Sequence, residues 1–219
     1  MNGKITAILV GVFITVISLS SISEAKNIND RGLNARQQGI VTIAAFTAKG
    51  DLERLKTALN DGLEVGLTVN EIKEVLVQMY AYCGFPRSLN GLSTFMNVVE
   101  ERKSKGIQDE IGKEATPLPT NKNRIELGTE NLTKLIGGVP VRGSVNTFGF
   151  APIIDEFLKG HLFGDIFGRD NLDFQSREIA TISALASMTG VDSQLQGHFR
   201  MGFNTGLTEA PDEKSDIRS

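Results

Sequence analysis

Cysteine occurs once in these 219 residues, tryptophan never, and tyrosine and histidine twice each. A lone cysteine, Cys83, can close no internal disulfide, so the fold must be held by packing. The absence of Trp and scarcity of Tyr remove the aromatic platforms on which bases stack. An excess of one charge is missing too. Lys and Arg number 23 against 26 Asp and Glu, a net charge of −3, and no basic run of five or more occurs. That mixture excludes a nucleic-acid binder. The two histidines, His161 and His198, are far apart, without a His-x-x-x-His pair or a cysteine cluster, so no metal site is expected. No glycine-rich phosphate loop precedes a helix, and nothing points to a nucleotide, flavin or haem. No cofactor is expected.

The N-terminus reads as a separate object. A short cationic start, Met1 to Lys4, precedes an apolar stretch from Ile5 to Ile22, and Ser23-Glu24-Ala25 offers small residues for cleavage. The pattern predicts a secretory signal peptide over residues 1–25, with an uncleaved membrane anchor as the alternative. The expected location is periplasmic, and membrane contact is expected only through this segment during export.

Helical periodicity dominates the rest. Residues 33–48 and 52–65 carry apolar residues at helical spacing, separated by Lys49-Gly50-Asp51, a glycine stop followed by an aspartate cap. Thr68 and Glu71 form a capping box for a third helix. Gly84-Phe85-Pro86 breaks that helix and opens a fourth, whose face carries Leu89, Leu92, Phe95, Met96 and Val99. Residues 104–147 are rich in Pro and Gly and read as a connector with a short helix at 129–136. Helices return at 152–162, 174–189 and 192–205. No strand alternation is evident, so the fold class is all-α.

Within this run lies an unequal repeat. Residues 38–68 and 177–208 share an Ile-x-Thr-Ile-x-Ala stretch, a mid-segment glycine (Gly50, Gly190), a leucine (Leu55, Leu195) and a closing Gly-Leu-Thr. His198 stands where the first copy has Ala58. The first copy runs on into a strong helix and the second stops soon after Gly-Leu-Thr. The organisation expected is a first repeat at 31–105, a linker at 106–149, a second, incomplete repeat at 150–209 and a polar tail at 210–219.

Three stretches carry a resemblance. Gly164-Asp165-Ile166-Phe167-Gly168-Arg169, then Leu172-Asp173 and Arg177-Glu178 heading an apolar helix, resemble the opening of carboxymuconolactone decarboxylases. His198 in Leu195-Gln196-Gly197-His198 is similar to that family's histidine, and Tyr80-Ala81-Tyr82-Cys83-Gly84-Phe85-Pro86 to its helix break. The resemblance implies an alkylhydroperoxidase D-like helical bundle in two tandem copies, the second truncated, and a ring-like homo-oligomer. One branch of that superfamily uses Cys-x-x-Cys-x-x-x-His. Here the two thiol positions before His198 are Val191 and Gln194, and Asp51 and Arg54 in the first copy, so a dithiol peroxidase is unsupported there.

Lyase or decarboxylase chemistry on a small carboxylated or lactone compound is the activity the resemblance implies, with His198 shifting the proton. Export runs against it, since such catabolism is normally cytoplasmic. Arg177 and Glu178 join His198 as candidate catalytic residues; an arginine can clamp a carboxylate, and an ion pair within the fold is the alternative. Cys83 offers a second reading, a peroxiredoxin-like antioxidant, if Arg87 lowers its pKa. Arg87, Tyr80 and Arg169 are the candidate substrate contacts, although Tyr80 and Tyr82 also suit a core or rim. His161 reads as a helix cap or surface residue. A third reading is a non-catalytic binding protein that keeps the fold.

Overall fold

The computed structural model describes residues 32–138 and 147–208. The expected signal segment and the polar tail lie outside the described residues. The regular elements among those described are all helices, without a strand, and residues 107–123 run between them as non-helical chain. Among them no helix is long and apolar enough to cross a membrane. In chain order the helices are α1 (Ala35–Lys49), α2 (Leu52–Glu64), α3 (Val69–Gln78), α4 (Tyr80–Cys83), α5 (Phe85–Ser104), α6 (Arg124–Leu135), α7 (Thr147–Phe150), α8 (Pro152–Phe157), a π-helical segment (Leu158–Ile166), α9 (Phe174–Ala186) and α10 (Asp192–Asn204).

Local chemistry sets most boundaries. Asn34 caps α1, accepting from the Gln37 N–H while the Gln37 side chain accepts from the Asn34 N–H. Gly50 ends α1 at φ 73°, a conformation that costs glycine little. Asp51 caps α2, and Thr68 with Glu71 closes the capping box of α3. Similar devices bound the helices near the end of the described residues. Asp173 caps α9, Gly190 turns at φ 78°, and Gly66 and Gly206 both lie at positive φ. Helical hairpins stand at both places, α1–α2 and α9–α10. The lead helices of the two hairpins pack on each other.

A larger core gathers Ile40, Ile43, Leu55, Leu59, Ile72, Leu76, Met79 and Phe95 with Ile179 and Ala180 of α9. Burying each large aliphatic side chain contributes about 1.5–3 kcal/mol. A smaller core joins Leu135 to Leu162, Phe163, Ile166 and Phe167 of the π-helical segment. Tyr82 packs against both.

The connector departs from expectation. Its helix begins at Arg124, five residues before the expected start at 129. Asn123 and Glu126 form a capping box there, and Gly128 does not break the helix. It lets α6 press against the π-helical segment: a Cβ at Gly128 would lie 1.6 Å from the Lys159 carbonyl oxygen. The helix expected at 152–162 becomes α8 followed by the wider π turn.

Candidate functional site

Two adjoining polar clusters lie where α9 meets α3, α4 and α10. The first is built on Glu178. It is fully buried in the first turns of α9, and its Oε2 lies 2.8 Å from Nδ1 of His198 on α10. Hairpin geometry makes this contact, because α10 returns antiparallel against α9 after the Gly190 turn. His198 is itself buried, at 8% exposure. An ionised carboxylate only accepts, so with Glu178 charged the proton sits on Nδ1 and Nε2 holds the free lone pair. The rings of Tyr82 and His198 meet in a T-shaped contact, with centroids 5.5 Å apart and planes at 80°.

Two buried oxygens of this cluster have no hydrogen-bond partner, Tyr82 Oη and Glu178 Oε1. Thr181 is a polar neighbour of the phenol, but its hydroxyl accepts from Gln78 Nε2 at 2.9 Å, and no hydrogen bond of normal geometry joins it to Tyr82. Burial, then the Glu178 charge, push the Tyr82 hydroxyl far above its ordinary value. It stays a neutral phenol at any physiological pH.

The second cluster is built on Glu74 of α3, 2% exposed. Its carboxylate accepts from Arg177 Nη2 at 2.8 Å, from Arg169 Nε at 2.9 and 3.0 Å, and from Asn171 Nδ2 at 3.0 Å. Burial raises its pKa, but the hydrogen bond from Arg169, the charge of Arg177 and the remaining donors together hold it below the usual carboxylate range. Arg177 is fully buried. It also donates to Gln78 Oε1 and to the Arg169 carbonyl, and lies over the Phe167 ring. Burial pulls its guanidinium down and Glu74 pushes it back up. The two partners' shifts thus point in opposite senses for the ion pair. The geometry decides in favour of the pair, because a guanidinium keeps its proton in proteins and Glu74 receives donors from three side chains.

The residues singled out in sequence therefore separate. His198 and Glu178 come together as a hydrogen-bonded pair. Arg177 and Arg169 converge on Glu74, with both η nitrogens of Arg177 engaged inside the fold. Cys83 ends α4, half-buried, with its thiol donating to the Met79 carbonyl at 3.1 Å. Burial raises that thiol, and the Arg87 charge offsets the rise only in part. Arg87 is exposed. Tyr80 stacks on Phe85 at 4.4 Å and lies 5.6 Å from the His161 ring, whose Nδ1 faces Asp165. Three members of the clusters had no signal pointing to a site: Glu74, Gln78 and Asn171. Glu74 and Gln78 sit one turn apart on α3, at an i, i+4 spacing that puts two polar groups on one face of an apolar helix, the one cue the sequence held.

Residues 21–95 match the carboxymuconolactone decarboxylase family. Over this segment, about a third of the chain, it is similar to that family. The matched stretch carries Glu74, Tyr80, Tyr82, Cys83 and Arg87, and ends before Arg177, Glu178 and His198. No curated protein matches the chain.

Proposed function

We propose that the chain is an exported lyase of the decarboxylase type acting on a small carboxylated or lactone compound, with His198 as the proton shuttle. The observation that carries the reading is the 2.8 Å contact between His198 Nδ1 and Glu178 Oε2. A carboxylate on Nδ1 orients the ring, fixes the tautomer and stabilises the imidazolium formed when Nε2 takes up a proton. Loss of CO2 from an activated acid leaves an electron pair on carbon, and Nε2–H returns a proton to it. Arg177 serves by position. Held by Glu74 and Gln78, it anchors the start of α9 and so fixes Glu178 one residue on.

The antioxidant reading has less support, because burial raises the Cys83 thiol and no second thiol exists to close a disulfide. The test is CO2 release from carboxylated lactones by purified protein. Turnover that falls by about 100-fold or more in His198→Ala supports the proposal. Turnover indifferent to His198, or peroxide consumption that depends on Cys83, overturns it.

A further inference from the structure

Among the described residues, four buried side-chain atoms have no hydrogen-bond partner: Tyr82 Oη, Asn171 Oδ1, Arg177 Nε and Glu178 Oε1. All four belong to the two polar clusters around the start of α9. Asn171 Oδ1 and Glu178 Oε1 are acceptors. The other two atoms carry protons. Arg177 engages both η nitrogens with Glu74, Gln78 and the Arg169 carbonyl, which leaves its Nε–H over. Tyr82 keeps its proton because burial, then the Glu178 charge, oppose the phenolate. A buried donor without an acceptor destabilises the fold, and native proteins hold few of them. Two such donors call for an acceptor that arrives from outside. Burial governs the ionisation of both groups, and each also acts on the other: Arg177 favours the ionised phenol and Tyr82 raises the guanidinium. The donors are therefore neighbours. The T-shaped contact of the Tyr82 and His198 rings sets them beside the group assigned the proton transfer.

We propose that the Tyr82 hydroxyl and the Arg177 Nε–H form an oxyanion hole, which makes Tyr82 a further catalytic residue of this site. The proposal rests on the decarboxylase reading of His198 and narrows the substrate to acids whose breaking C–C bond is conjugated to a carbonyl. As that bond breaks, its electron pair passes through the conjugated system to the carbonyl oxygen, and CO2 leaves. The two donors hold the enolate oxygen so formed. Fixed donors in a site closed to water stabilise such an oxygen far better than donors facing solvent. His198 Nε2–H then gives its proton to carbon, the carbonyl re-forms, and the imidazole recovers a proton from water. α4 is the cover over the hole. It is a single turn without a side-chain cap, closed by Gly84 at φ 84°, and substrate enters by displacing it.

Binding of para-nitrophenol tests the hole without any turnover. Its phenolate oxygen mimics an enolate oxygen, and its ionisation is followed by absorbance. The parent binds it as the phenolate and shifts its ionisation to lower pH. Tyr82→Phe, which keeps the ring and removes only the hydroxyl, weakens that binding about 10-fold or more. In CO2 release from a conjugated lactone acid, the same variant loses about 100-fold or more in kcat with little change in KM. No phenolate binding by the parent, or equal affinity in Tyr82→Phe, overturns the hole whether or not CO2 is released. Phenolate binding that depends on Tyr82 in a protein that releases no CO2 supports the hole and removes the decarboxylase reading.

Discussion

Nδ1 of His198 lies 2.8 Å from Oε2 of Glu178, a side chain wholly removed from solvent. The contact spans two antiparallel helices, and the turn between them passes through Gly190 in the left-handed region. Histidine orientation therefore depends on the hairpin as well as on the carboxylate.

Glu178→Gln keeps the shape of the side chain and removes its charge. Imidazolium at residue 198 then loses its counter-charge. Turnover in the CO2-release assay is expected to fall by roughly 10- to 100-fold, with the larger effect on kcat than on KM. An unchanged kcat would separate the pair from the chemistry.

Glu74→Gln leaves the Arg177 guanidinium buried with its main counter-charge gone. Breaking one partner of a buried pair costs about 3–5 kcal/mol. Urea unfolding followed by circular dichroism should show that loss. A change below about 1 kcal/mol would mean that Arg177 finds another partner.

The same carboxylate gives stability a pH dependence. The Glu74 folded pKa lies below its ordinary value of 4.5. Its contribution is therefore complete above the unfolded pKa and is lost as pH falls through the folded one. The urea midpoint of the parent should hold from neutral pH to about pH 5 and drop below that. In Glu74→Gln the acid drop should be smaller.

Tyr82→Phe removes a buried hydroxyl that has no partner. An unsatisfied buried polar group costs about 1–3 kcal/mol, so the variant should melt no lower than the parent and is expected to melt higher. A lower melting temperature would reveal a bond to the hydroxyl, with Thr181 as the group to examine.

Helix boundaries were legible wherever a cap or glycine stop acts locally. Thr68 with Glu71, Lys49-Gly50-Asp51 and Gly84-Phe85-Pro86 all mark turns that the structure shows. The start of α6 was hidden because Gly128 reads as a breaker. Its role is set by Lys159, distant in sequence, whose carbonyl occupies the space a side chain would need. The π turn was hidden for a related reason, since a change of helical period over Leu158–Ile166 leaves no mark in an apolar pattern. His198 and Glu178 could be named as candidates, but their contact depends on how the two helices of the hairpin pack. Arg177 shows the limit most clearly. Its residue type fits a substrate carboxylate and an internal one equally well, and only the arrival of α3 beside α9 supplies Glu74.

The most direct measurement of the central claim is single-turnover CO2 release from a carboxylated lactone by the parent, His198→Ala and Cys83→Ser. Proton transfer by His198 requires a loss of at least about 100-fold in His198→Ala and parental rates in Cys83→Ser. Parental rates in His198→Ala, or a loss confined to Cys83→Ser, would contradict it.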